Sequence, residues 1–320
     1  AHWLFVHWTT LGPRAEALEW IGRALSQGTH ALTALARARL LTALADFALN
    51  AGEAERARLA CDEAIALCRE RHARFDLMRA LQMRAADLMQ RGDQFGARVA
   101  AEEWLAIARE LHNSRYEGIA LFWVGLCALN VGQFEEAAAL IEESLRATPA
   151  TEAGTIIVIK FHQGLVRWLR GDSAAAMRDY EQALDYFRQT GFEFGSATVL
   201  SAIGDARLRD GDIVRAEAAF GESVRMLHRS GAHQRLPWPI AGLAALSADQ
   251  GQTVRAVTLW AAVRALRATT ASADHRLVLE MWRSRVEAAS ANLSVSARAA
   301  AEKAGGAMGV DAAVAFALSD

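Results

Sequence analysis

Apolar positions between residues 121 and 144 recur at helical spacing on both sides of a glycine: Leu121, Val124, Gly125 and Ala128 precede Gly132, and Ala137, Leu140, Ile141 and Ser144 follow it. Spacing of i, i+3/i+4 and i+7 in both segments predicts two amphipathic helices joined by a tight turn, which is a helical hairpin. The same glycine-to-alanine step falls at Gly12 and Ala17, Gly52 and Ala57, Gly92 and Ala97, Gly132 and Ala137, Gly171 and Ala176, Gly211 and Ala216, and Gly251 and Ala256. Successive turn glycines are 40, 40, 40, 39, 40 and 40 residues apart. A period of this size marks an array of stacked units, because one hairpin cannot bury its own apolar face and must stack on a neighbour.

Two further positions keep the register. Seven residues before each turn glycine stands Ala45, Ala85, Gly125, Gly164, Gly204 or Ala244, and only the first repeat, with Phe5, departs. Nine residues after it bulk returns as Ile21, Ile141, Tyr180, Phe220 and Trp260, with Cys61 and Ala101 as the small exceptions. Small residues let the paired helices approach at the short end of the roughly 8–10 Å axial range, and the larger side chains are expected to fill the space between neighbouring hairpins. The residue after the glycine, Pro13, Glu53, Asp93, Gln133, Asp172, Asp212 or Gln252, suits the start of the second helix. After Ala256 the register breaks, since Gly305, Gly306 and Gly309 have no alanine five residues on. The expected organisation is an array over residues 1–267 and C-terminal capping helices over 268–320. The N-terminal WLFVHW segment shows no cap of its own, so more repeats or another domain are expected to precede it.

Composition agrees with an all-α reading. The chain has 320 residues, 52% of them apolar, with only 4 prolines, and no sheet is expected. Formal net charge is −2, and residues 1–111 carry 14 arginines against 14 acids, so no basic arm for nucleic acid stands out. No stretch approaches the ~18–20 apolar residues of a membrane helix, and the opening segment lacks a basic leader and a cleavage site. Cys61 and Cys68 lie seven residues apart on one predicted helix, roughly 10 Å, too far for a disulfide. With Cys127 they read as buried thiols in a cytoplasmic protein.

At this point the residues resemble the tetratricopeptide repeat. Leu200, Ile203, Gly204, the Gly211-Asp212 turn, Ala216, Phe220 and Ser223 match its pattern best. The usual tyrosine of the first helix is replaced by Ala48, Leu88, Ala128, Arg167, Arg207 and Ser247, and the period is longer than the usual 34 residues. The long, Ala- and Arg-rich variety, with the tail GQTVRAVTLWAAVRALR, a charged helix around Leu277–Ala289 and GGAMGVDAAVAFAL, is similar to the repeat region of large ATP-dependent bacterial transcription regulators of the maltose-activator and LuxR type. The resemblance implies a right-handed superhelical array of about seven hairpins, a TPR-like α-solenoid. It also implies covalently linked NTPase and DNA-binding modules outside this chain, which itself has no GxxxxGK[ST] phosphate loop.

By the same analogy, residues three, six and ten before each turn glycine point into a concave face. Its candidate ligand- or peptide-binding residues are Asp46, Gln82, Phe122, Phe161, Trp168 and Asp205 at those places, Asn50 and Asn130 two before the glycine, and Arg167 and Arg207 four before it. Packing between repeats is the alternative use of Phe122, Phe161 and Trp168. Arg167 and Arg207 hold one place in adjacent repeats and could clamp an anionic group, or else pack their stems with solvated heads. The chain shows no HExxH, CxxC or GxSxG arrangement, so no catalytic residue, metal or cofactor is assigned. The expected function is a non-enzymatic sensor or interaction domain of a signal-responsive regulator that takes a small effector or a peptide or protein partner. A stand-alone interaction scaffold is the other reading.

Overall fold

In the computed structural model, residues 14–27, 32–269 and 276–319 are described. The turn at Gly12 and the side chains of Ala17 and Asn50 lie outside them. Sixteen α-helices are found among the described residues, with one short 3-10 turn and no strand. They are α1 (Arg14–Gln27), α2 (Ala34–Ala51), α3 (Ala54–Glu70), α4 (Arg74–Gln90), α5 (Gln94–Glu110), α6 (Ser114–Asn130), α7 (Phe134–Ala147), α8 (Ala153–Leu169), α9 (Ser173–Gln189), α10 (Glu193–Arg209), α11 (Ile213–Arg229), α12 (Pro237–Asp249), α13 (Thr253–Thr269), α14 (Arg276–Ser290), α15 (Val295–Gly306) and α16 (Val310–Ala317). The chain divides into two compact units, Ala1–Val131 with Ala139–Glu152, and Gly132–Ala138 with Ala153–Asp320. This division falls within the repeated stretch.

The predicted hairpins form where the glycines put them. Gly92, at φ 82°, ends α4; its N–H donates to Met89 O at 3.0 Å and the next N–H, of Asp93, donates to Leu88 O at 2.9 Å. This paired closure satisfies carbonyls that the helix end would leave bare. The Asp93 carboxylate then accepts from the Gly96 N–H at 2.8 Å, capping α5, and Asp172 and Asp212 cap α9 and α11 in the same way. Glu53 makes no such side-chain bond.

Between hairpins the same turn recurs at half the period, which the sequence reading did not resolve. Ala73 N–H reaches Cys68 O, Asn113 reaches Ala108 O, Phe192 reaches Phe187 O and Ala232 reaches Leu227 O. The left-handed residues there are His72 (φ 51°), His112 (φ 50°), Gly191 and Gly231. The basic step is therefore one helix of 17 residues and a three-residue turn, and the 40-residue period is two such steps.

The core follows the register. The alanines five residues past the turns, Ala57, Ala97, Ala137, Ala176, Ala216 and Ala256, are all 0% exposed. In the second unit, Tyr180 lies so close to Gly164 that an added Cβ would meet its ring at 2.8 Å; at Gly204 the distance to the Phe220 ring would be 2.5 Å. Phe220 also abuts Gly242 of the next hairpin, where a Cβ would lie 2.3 Å from it. The bulky position thus fills the space between neighbours, as its register predicted. In the first unit Ser144 donates to Gly118 O at 2.7 Å, so the end of α7 is held on α6 by a hydroxyl rather than by bulk.

Candidate functional site: the inner faces of the first helices

The first helix of each hairpin carries the positions expected to face a ligand. In the first unit these positions are partly open. Asp46 on α2, Gln82, Ala86 and Met89 on α4, and Leu126 and Asn130 on α6 are half-buried. Met83 and Trp123, also half-buried, pack beside them against the core. Thr42 is buried and donates to Ala38 O at 2.9 Å, and Phe122 is buried at 7% exposure. Asn130 donates its amide to Gln94 Oε1 at 3.2 Å across a repeat. Met83, Ala86 and Trp123 pack half-buried against one core cluster, and Asp46, Gln82, Leu126 and Asn130 are half-buried on the same set of first helices.

In the second unit the equivalent positions are closed. Phe161 is 3% exposed, edge-on to His162 at 4.8 Å and tilted on Tyr180 at 5.7 Å. Trp168 is fully buried, with the Arg209 guanidinium 4.5 Å from its ring centre and the Trp282 ring at 6.3 Å. Asp205 is 1% exposed, and each carboxylate oxygen accepts from a different indole, Trp238 Nε1 at 2.8 Å and Trp282 Nε1 at 2.9 Å. Burial pushes the Asp205 carboxyl up to about 8, outweighing the two indole donors and Arg209, which pull the other way. Burial likewise holds the Tyr180 phenol above its usual range.

Arg167 and Arg207 each face an acid of their own hairpin. Arg167 Nη1 lies 2.7 Å from Asp179 Oδ2, and Arg207 lies 3.8 Å from Asp212. An anion held between the two guanidiniums would compete with both carboxylates. Burial raises Asp179 above the usual carboxylate range despite Arg167 beside it.

The structure therefore leaves Asp46, Gln82 and Asn130 half-buried in one unit, and packs Phe161, Trp168 and Asp205 into the interior of the other. Sequence reasoning missed Trp238, Arg209 and Trp282. The stripe Val278, Trp282 and Val286, spaced i, i+4 and i+8 inside the charged C-terminal helix, was the available signal.

The three thiols are buried, and burial pushes Cys61 and Cys127 up to about 12 and Cys68 to about 11, so they stay protonated. Among the described residues no three His, Cys, Asp or Glu side chains converge as metal ligands, and no helix is long and apolar enough to cross a membrane.

No protein-family model and no curated protein sequence matches the chain. Solved structures do. The apo form of RapI is similar at a TM-score of 0.65 and 12% identity, over 89% of this chain and 97% of that one. A Rap protein complexed with competence and sporulation factor is similar at 0.59 and 12%, over 89% and 84%. A signal-transduction ATPase with numerous domains and a tetratricopeptide-repeat sensor, from Pyrococcus horikoshii, is similar at 0.55 and 15%, over 85% of this chain and 39% of that longer one. Identities this low establish the fold alone. The fold is all-helical and TPR-like.

Proposed function

We propose that this chain is a non-catalytic sensor and interaction domain of a multidomain, signal-responsive bacterial transcription regulator acting in the cytoplasm. In this reading residues 1–267 are its array and 268–320 its closing helices, and the NTPase and DNA-binding modules lie outside the chain. The observation that supports the proposal is that Asp46, Gln82 and Asn130, on α2, α4 and α6, stay half-buried, as do Met83, Ala86 and Trp123 on the same helices. The repeat signature supports the regulator context, as does the likeness to part of a longer ATPase with a repeat sensor. A ligand seated there acts only if it binds two arrangements of the array with different affinity.

Thermal-shift screening with sugars, amino acids and nucleotides should find a stabilising class. At a hundredfold excess over Kd a single site adds about 2.7 kcal/mol. Gln82→Arg and Leu126→Arg should each cancel that shift while leaving the unliganded melting temperature within a degree or two. If both variants respond to the ligand as the parent does, the inner face is not the site. The coding sequence upstream of Ala1 decides the context: a phosphate-loop motif in the same frame supports the regulator, and an immediate start codon leaves the stand-alone scaffold.

A further inference from the structure

Helix α14 differs from the first helices before it in the second unit. In the hairpins of the second unit, each first helix is backed by a second helix that follows it across a turn glycine: α9 backs α8, α11 backs α10 and α13 backs α12. Forty residues after Gly251 stands Ala291, no such hairpin forms, and α15 packs on α13 rather than on α14. Gly305 sits so tightly on α13 that a Cβ would meet Thr258 O at 2.0 Å. The fork of Arg255 on α13 holds the end of α16, donating to Phe316 O at 3.0 Å and Ala317 O at 3.1 Å. The two helices after α14 thus have their own anchors on the repeat, and α14 is held by one face.

That face is Val278, Leu279, Trp282, Val286 and Ser290, with Glu280, Met281, Arg283, Ser284 and Glu287 exposed opposite. It rests on α12 and, to a lesser extent, on α13, but Trp282 reaches further, donating to Asp205 on α10 and touching Trp168 on α8. These are the positions six and three residues before their turn glycines; the first-unit counterparts of Asp205, namely Asp46, Ala86 and Leu126, are half-open, whereas of those of Trp168 Met89 is half-buried and Leu49 and Leu129 are buried. Arg285, 5.0 Å from the Trp282 ring centre, pairs with Asp249 at 2.5 Å and fixes the register on α12. The C-terminal half of this face, at Val286 and Ser290, also borders a cleft of about 170 Å³ shared with Trp260, Arg264, Arg298 and Glu302. An amphipathic helix laid one-sidedly into a groove, with an aromatic anchor at its centre, is how separate helical ligands bind.

We propose that α14 is an intramolecular ligand: Trp282 fills the site between Trp168 and Asp205 on the inner face of α8, α10 and α12, and the chain keeps this site closed until α14 is displaced. The occupancy stands on geometry; only the purpose of the opening rests on the functional reading above. The test uses the full chain and a fluorescent synthetic peptide of residues 276–290. A chain carrying Trp282→Ala should bind the peptide at least ten times more tightly than the parent chain, and a peptide carrying the same substitution should not bind. Failure of the substituted chain to bind while keeping its helical circular dichroism, or equal binding of both peptides, overturns the proposal.

Hydrogen exchange on the unaltered protein keeps the proposal falsifiable if that variant loses helix. Amides of Val278–Val286 should exchange at least tenfold faster than those of α10, α12 and α13, and equal rates overturn it. Gln82→Arg should not change peptide binding, so failure of the effector site and failure of this one are separately visible.

Discussion

Two kinds of glycine, similar in sequence, do different physical work here. Gly132 lies at φ 81° with nothing within 4 Å of an added Cβ, so it is needed for backbone conformation alone. Gly204 has ordinary helical geometry but lies against the Phe220 ring, so it is needed for space. Gly132→Ala should cost about 1–2 kcal/mol, the strain of a left-handed non-glycine residue. Gly204→Ala should cost about 1–3 kcal/mol by overpacking. A double-mutant cycle with Phe220→Leu separates them: it should recover much of the Gly204→Ala loss and none of the Gly132→Ala loss. Urea midpoints read both, and equal coupling to Phe220 would remove the distinction. The regular spacing made both glycines legible from the sequence, but only the structure shows that His72 and His112 take the same left-handed turn. No glycine marked those two places; Gly191 and Gly231, twenty residues past Gly171 and Gly211, were the signal of the half-period in the second unit.

At the scale of elements, repeat order is also written in charge. Arg69 pairs with Glu103, Arg109 with Glu143 and Arg188 with Glu222, each arginine 17 residues past its turn glycine and each acid 11 past the next. The corresponding residues after Gly132 and Gly171 are Pro149 and Gln182, where the spacing shortens to 39 and the two compact units divide. Exposed pairs of this kind add only about 0.2–1 kcal/mol each, so they mark order more than they hold the fold. Arg255 is different. Its fork meets the carbonyls that end α16 and the Ser319 backbone oxygen at 2.8 Å, and its charge opposes the negative end of that helix. Arg255→Ala should cost about 1–3 kcal/mol and speed exchange of the Val314–Leu318 amides, and Arg255→Lys, which cannot fork, should restore only part. Unchanged exchange in the alanine variant would show that α16 is held by its apolar contacts alone. The sequence showed that the tail was helical but not where it docked, because no periodic partner existed to align it with.

For the molecule as a whole, the fold was legible because a repeat states its packing rule several times. The site was less so, because the repeat rule assigns the same inner positions to every hairpin and cannot say which are covered from outside the register. Trp282 is such a cover, and burying Asp205 beneath it makes stability depend on pH. The folded carboxyl titrates near about 8 and an unfolded aspartate near ~3.9, so between those values the folded chain holds a proton that the unfolded chain has lost. Stability from this group therefore falls as pH rises from ~4 to about 8. His162 runs oppositely: burial lowers it to about 4, and the unfolded imidazole, near ~6.5, takes up the proton first, so its contribution is lost as pH falls from ~6.5 to about 4. Above ~8.5 the buried thiols take over, since their folded values of about 11 to 12 lie above the unfolded one. Between pH 6.5 and 8 the Asp205 contribution falls at up to about 1.4 kcal/mol per pH unit. Urea unfolding should show the parent losing about 2 kcal/mol across that window. Asp205→Asn, although less stable from the start because one indole loses its acceptor, should show almost no slope there. A variant slope equal to the parent's would place the titrating group elsewhere than beneath Trp282.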